Sequence, residues 1–460
     1  MSASRSPRRP TSAALALALG VGLVGCSAPQ QASSTQGSPT VREHAGDCFT
    51  TGVELTVEEQ RLAAALPGED VPAGEQLMQG SGFDAKVADF ERALCAMEPG
   101  PEADDAVRAA GAELWRTAVE RAQGEPEDGA ADAYDDRPLY WARTAITKAL
   151  RAWSPKTELD PLQRQALIHR FSSASRGIDE VDFEDTGDDA TRVLVSGFDP
   201  FGLDDSLRTS NPSGAAALQL DGRVIDTDRG QVRVQAVMLP VNWSDFDQGI
   251  VEDAFGPWLV PDDHPEHAGD ADLVMTLSQT DRGRMDIEQW AGGFRGGDPD
   301  NSRALNWGPV SASPRWPQPQ PSPQFIETTL PAQQMIDAET GPLPVTLNPG
   351  VFEWPAGTYP DSAALTFGLE PSPNARAAAG SGGNYLSNES MYRVNRLRLG
   401  AGKEQLPGGH LHISALEYPE DPAELTSAAF ESDRAAIVDQ TVALIGAAAQ
   451  ATRESPRLVE

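Results

Sequence analysis

Histidine is the residue type best suited to metal binding and proton transfer, and four of the six here fall in two short clusters. The first is Asp262, Asp263, His264, Glu266 and His267, a donor set that could in principle ligate a divalent cation. Pro265 breaks the helix that would align the two imidazoles, so an exposed acidic loop is the expectation and no metal site is assigned. In the second cluster, His410 and His412 alternate within the run Gly409–Ile413, which puts both on one face of a strand. A third feature is apolar. The β-type run Val193–Ser196 leads straight into Gly197-Phe198-Asp199-Pro200-Phe201-Gly202. Two Phe around a proline turn then lie at the carboxyl edge of a strand, where open α/β sheets bind ligands. None of these features implies a cofactor.

The elements that must position such groups fall in two halves. From about Glu43 to Arg176 the apolar residues recur at helical spacing: Val87, Phe90, Leu94 and Met97, then Val107, Gly111, Leu114 and Ala118, then Ile146, Leu150 and Trp153. Asp160-Pro161 is a predicted cap and first turn of a further helix. This is an expected all-α domain over residues 43–178. The acidic run Glu125–Asp136 and His169 read as a solvated loop and face, and Asp179–Asp189 as a linker. Beyond it, over residues 190–455, short strands alternate with helices. Val193–Ser196, Val232–Leu239, Leu273–Leu277, Val345–Leu347 and Leu411–Ala415 are the predicted strands. Asn211-Pro212-Ser213 opens one helix, and Ile437 to Ile445 marks the last. That alternation predicts an α/β fold with a mainly parallel twisted sheet flanked by helices. Six prolines in residues 309–323 read as an extended surface segment.

Charge and the N-terminus bound the setting. Sixty-nine acidic residues against 36 Lys and Arg give a net charge of −33, which repels phosphate backbones and excludes a nucleic-acid partner. Arg5, Arg8 and Arg9 precede the apolar run Ala13–Gly25, too short to span a bilayer and laid out as a secretory signal over residues 1–25. Leu23-Val24-Gly25-Cys26 resembles the lipobox of bacterial lipoproteins. That resemblance implies acylation of Cys26, a membrane tether through residues 26–42, and an extracytoplasmic location. In an exported chain the two remaining cysteines, Cys48 and Cys95, are candidates for a disulfide, with two free buried thiols as the alternative.

The α/β half carries a more specific likeness. Gly197-Phe198-Asp199-Pro200-Phe201-Gly202 followed by Asn211-Pro212-Ser213 resembles the opening motif of the type I pyroglutamyl peptidases, or pyrrolidone-carboxylate peptidases. Further strings follow in the family's order. They are Leu239-Pro240-Val241, Arg282 to Ala291, Pro299-Asp300-Asn301, Thr329-Leu330-Pro331, Gly383-Asn384-Tyr385-Leu386-Ser387-Asn388 and Gly409-His410-Leu411-His412-Ile413. The likeness spans roughly residues 191–450. It implies that Phe198 and Phe201 line a pocket for the pyroglutamate ring, with Gln279 beside it. It also places Glu288 and His412 on the family's catalytic Glu and His, and Ser387 on its nucleophile.

The family uses a Cys nucleophile, whereas this chain has no Cys beyond residue 95. A hydroxyl is far less acidic than a thiol, so His412 would have to remove its proton during attack. About thirty extra residues, Gly350–Ala379, precede the Ser387 motif and could form a lid. Two readings follow. One is a lipid-anchored hydrolase that removes N-terminal pyroglutamate, or cleaves a related amide, through Ser387, His412 and Glu288. The other is an inactive relative that binds a peptide end or lactam, or scaffolds other envelope proteins. In either case the expected partner is a peptide or small amide.

Overall fold

The structure, a computed structural model, describes residues 48–124, 132–184, 187 and 190–453. The expected signal segment, the expected acylation site Cys26 and the expected tether lie outside these residues, as do residues 125–131 of the acidic run. The strands of the main sheet are numbered here in chain order. They are β1 (Thr191–Phe198), β2 (Val224–Thr227), β3 (Gly230–Leu239), β4 (Leu273–Gln279), β5 (Met285–Glu288), β6 (Val345–Asn348) and β7 (Gly408–Ile413). They lie in the order β6-β5-β7-β4-β1-β3-β2. β3, β1, β4 and β7 are parallel, β2 and β5 each run antiparallel to their inner neighbour, and β6 runs with β5. The fold is thus mixed α/β with a mostly parallel sheet, preceded by a helical region.

Alternation along β1 shows how the sequence builds two layers. Val193 and Val195 face one core, with Ile437, Val438, Leu444 and Ile445 of the closing helix Ala428–Thr452. Leu194 and Phe198 face the other, with Trp243, Phe246 and, from the helix Leu386–Gly400, Leu386, Val394 and Leu397. Asn211 caps the helix Pro212–Leu220 by accepting from the Ser213 amide at 3.1 Å. That helix crosses β1 so closely that a Cβ on Gly197 would lie 2.1 Å from the Ser213 carbonyl oxygen, so only glycine fits there.

In the helical region, Phe83–Cys95, Pro101–Gln123, Arg137–Ala152 and Pro161–Ala174 bury the predicted stripes. Asp160 caps the last of these with Gln163 completing a capping box. Cys48 and Cys95 are joined in a disulfide, which in the chain-entropy account contributes roughly 3–4 kcal/mol. This core is shared with the sheet: Leu203, Leu218 and Met238 are part of it. Trp115 Nε1 also donates to Asp221 at 2.9 Å, and Asp221 accepts the Ala236 amide at 2.8 Å.

One expectation needs correction. Part of the acidic run is buried rather than solvated. Asp135 is paired with Arg137 at 2.6 Å and with Arg434 of the closing helix at 3.3 Å. Burial alone would raise its pKa, but the two guanidinium groups hold it well below the usual carboxylate range. Asp136 accepts the Asn211 amide at 2.9 Å and the Ser210 hydroxyl. The compensating cations come from distant sequence, and a local reading of acidic residues cannot show them.

Glu58 lies in the same interface, where its carboxylate accepts the Tyr140 hydroxyl at 3.0 Å. Burial, and secondarily Asp199, push its pKa up to about 7 from 4.5. Between these values the unfolded chain has lost a proton that the folded chain keeps, so stability falls as pH rises from 4.5 to about 7. Glu58→Gln is therefore expected to remove that slope. In urea titrations from pH 5 to 8 the variant should gain on the parent with rising pH, by on the order of 2 kcal/mol. Parallel pH profiles for the two proteins would contradict this.

Candidate active site

β7 runs through the middle of the sheet, and β5 pairs beside it so that Glu288 lies opposite His410 in register. His412, two residues on, meets the Glu288 side chain: Nδ1 and Oε1 are 2.6 Å apart. A carboxylate can only accept, so Nδ1 is the donor in this bond and Nε2 is the nitrogen left free to exchange a proton. The second carboxylate oxygen, Oε2, accepts Asn348 Nδ2 at 2.9 Å, and the same amide donates to the Ser381 carbonyl at 2.8 Å. Glu288 is fully buried and His412 nearly so. Both oxygens being engaged, the carboxylate cannot rotate, and the imidazole plane is fixed with it.

Ser387 is the second residue of the helix Leu386–Gly400, whose first turn has no side-chain cap. Its approach is shaped by the segment Gly380–Tyr385. A Cβ on Gly382 would sit 3.0 Å from His412 Cε1 and 3.4 Å from Glu288 Cγ, so the chain passes closely against the imidazole and a larger residue would press on it. The next residue, Asn388, clamps the helix start: it accepts the Gly292 amide at 2.8 Å and donates to the Gly292 carbonyl at 2.9 Å. Glu389 then pairs with Arg295 at 2.5 Å and Arg393 at 2.7 Å. The segment after Glu288 and the start of the Ser387 helix are therefore locked together. The Ser387 hydroxyl itself is half-buried and is not hydrogen-bonded to His412.

His410 shares the face of His412, with ring centroids 4.6 Å apart and nearly perpendicular. Its two nitrogens are taken by Thr276 Oγ1 and Ser278 Oγ, each at 2.7 Å. Burial, and then the neighbouring His412, hold its pKa well below the usual histidine value, so it stays neutral. It buttresses His412 and has no nitrogen left for a metal. Among the described residues, Asp262, His267 and Asp270 do bring ligand atoms within 4.8 Å of one another. His267 Nδ1 is bonded to the Val260 carbonyl, however, and the Lys403 ammonium pairs with Asp270. His264 instead stacks on Trp316.

Phe198 and Phe201 lie on the His412 side of the sheet, whereas Gln279, in register with Ile413, falls on the opposite face. Phe198 is buried and stacks on Phe246, with centroids 6.1 Å apart. Phe201 is half-buried against the cluster that also receives Tyr385 and Leu386, immediately before Ser387. Gln279 ends β4 beside Ile413 of β7, and its Oε1 is buried with no hydrogen-bond partner. Such an orphan acceptor costs about 1–3 kcal/mol unless a donor arrives. The extra segment 350–379 forms a small three-stranded sheet rather than a loose loop, and it exposes the paired rings of Phe352 and Phe367.

Two supports were not visible in the sequence. Asn348 follows a predicted strand, but its role depends on β6 pairing with β5. Asp199, between the two Phe, is buried and held by Arg143 at 2.7 Å and Arg176 at 2.6 Å, both from the helical region. Asn301 pins the same loop by donating to the Pro200 carbonyl at 2.8 Å.

Both halves of this arrangement have counterparts in other sequences. The PA0049 N-terminal domain profile matches residues 39–172, which include Arg143. The PA0049 C-terminal domain profile matches residues 192–306 and 353–417, which include Glu288, Ser387 and His412. Protein PA0049 of Pseudomonas aeruginosa, itself uncharacterised, is 32% identical across 85% of this chain and 88% of its own length. With both halves matched in order and a full-length relative at this identity, the chain belongs to the PA0049 family.

Proposed function

We propose that this protein is an amide hydrolase of the pyroglutamyl-peptidase kind, with Ser387 as nucleophile, His412 as general base and acid, and Glu288 orienting the imidazole. The observation that carries the reading is the buried His412–Glu288 bond, with Glu288 fixed from behind by Asn348. A carboxylate so placed holds the tautomer that lets Nε2 take the Ser387 proton as Oγ attacks the carbonyl carbon. His412 then passes that proton to the departing amine, and water, deprotonated by the same nitrogen, releases the acyl group. The uncapped first turn of the Ser387 helix offers amide N–H groups and the positive end of its dipole to the oxyanion. Phe198 and Phe201 suit the flat lactam ring. The proposal also places the protein outside the cytoplasm on a lipid at Cys26, for which labelled palmitate incorporation lost in Cys26→Ala is the check.

The missing Ser387–His412 hydrogen bond favours a second reading, a binding protein that keeps the pocket without turnover. A fluorogenic pyroglutamyl amide separates the two. Turnover by the purified protein that vanishes in Ser387→Ala supports the serine hydrolase. A silent parent with activity gained in Ser387→Cys supports the binding reading with an intact pocket. Silence in all three proteins rejects a pyroglutamyl amide as the substrate.

A further inference from the structure

The main sheet ends in two edge strands, and the sequence treats them differently. β2 forms one edge, where Arg223, Asp226, Asp228 and Arg229 place charge, a common guard against pairing with another chain. β6 forms the other. No charged residue occurs from Gly341 to Phe352, although the chain carries a net charge of −33. The Pro344 and Asn348 carbonyls accept the amides of Met285 and Gln289, at the start of β5 and just beyond its end. Backbone groups of alternate strand residues point the same way, so Thr346 also faces β5, and Val345 and Leu347 turn their N–H and C=O groups outward. Those outward groups have no hydrogen-bond partner among the described residues.

Beside this edge the segment 350–379 adds apolar surface. Phe352 and Phe367 lie opposite each other on the strands Val351–Trp354 and Thr366–Gly368, and they are 49% and 60% exposed. Leu365 and Leu369 alternate with Phe367 along the chain and are exposed too, with no charged residue between them. The Phe367 ring reaches back to the end of β6. A Cβ on Gly350 would lie 3.0 Å from that ring and 3.5 Å from Asn348 Oδ1. An unguarded edge and an apolar shoulder thus adjoin, and Leu347 on the edge is itself exposed.

Charge selects the partner. Two copies at −33 each repel over most of their surface, so a second copy can approach only across a neutral face. A basic partner would instead settle where the acidic residues are. The edge is also complementary to itself. Turned about a two-fold axis at Thr346, Val345 of one copy faces Leu347 of the other, and every outward N–H and C=O group on both strands finds a partner. Pro344 and Pro349 lack an N–H and confine the pairing to this stretch. We propose that the protein forms a two-fold dimer in which β6 pairs antiparallel with β6 of a second copy and the Phe352–Phe367 shoulder packs across the joint.

Analytical ultracentrifugation of the purified protein from about 1 to 100 μM tests this. The expected result is a mass that rises from one protomer to two, at lower concentration in high salt because screening weakens the repulsion. Leu347→Lys and Phe367→Glu should each weaken association about tenfold or more, with the circular dichroism spectrum of the parent. Val224→Lys, at an exposed position on the β2 edge, should leave association unchanged. Amide hydrogen exchange at Val345 and Leu347 should slow about tenfold or more between the dilute and concentrated ends of the range. A single-protomer mass throughout overturns the proposal, as does a dimer that survives both β6-side variants or that Val224→Lys dissolves. A dimer in which exchange at Val345 and Leu347 is unchanged overturns the strand pairing.

Discussion

Glu288→Gln lowers kcat toward a pyroglutamyl amide by about 10³- to 10⁴-fold while KM stays within a few-fold, because a misdirected tautomer disables the base without emptying the pocket. The direction follows from the two hydrogen bonds on the carboxylate. Asn348 Nδ2 can only donate, so the Gln oxygen must turn to it and the Gln amide must face His412. Nδ1 then becomes an acceptor, the proton moves to Nε2, and no basic nitrogen faces Ser387. Combining Glu288→Gln with Ser387→Ala adds little to either loss, since members of one catalytic unit are not additive. The measurement uses whichever of the parent or Ser387→Cys proteins turns over. A loss under tenfold would sink the proposed role of Glu288.

The largest expected effect on stability is that of Arg143→Ala. Asp199 is 3% exposed and shared by two guanidinium groups, and Arg143 also donates to the Ser175 carbonyl at 2.9 Å. Removing one cation leaves a buried carboxylate half-compensated and two donors' acceptors unmet, at a cost of about 3–5 kcal/mol. Equilibrium urea denaturation reads this directly. Because Asp199 sits between Phe198 and Phe201, pyroglutamyl-ligand affinity should fall with stability. A change below about 1 kcal/mol would mean that the ion triad adds nothing to the fold.

Much of this arrangement was legible in the sequence, and the part that was not shares one physical cause. Helical stripes such as Val107, Leu114 and Ala118 and the alternation of Val193, Leu194 and Val195 are local periodicities, and they pack as their spacing implies. Motif order assigns His412 and Glu288 to one catalytic unit, and the structure brings them to 2.6 Å. β5 is only four residues long and its antiparallel direction is set by β7, more than a hundred residues later, so Asn348 could not be connected to Glu288. Asp135 with Arg434, and Asp199 with Arg143, are charge pairs made by tertiary contact. The sequence shows each charge but not its partner.

The Arg143–Asp199–Arg176 triad and the shared core around Met238 also decide how freely this architecture can be cut and reused. A fragment holding the sheet alone would carry an unpaired Asp199 in the loop after β1 and bare the surface that Trp115 and Leu114 now cover. The sheet half is therefore not a portable module. A change on the helical side at Arg143 or Arg176 reaches the loop that carries Phe198 and Phe201.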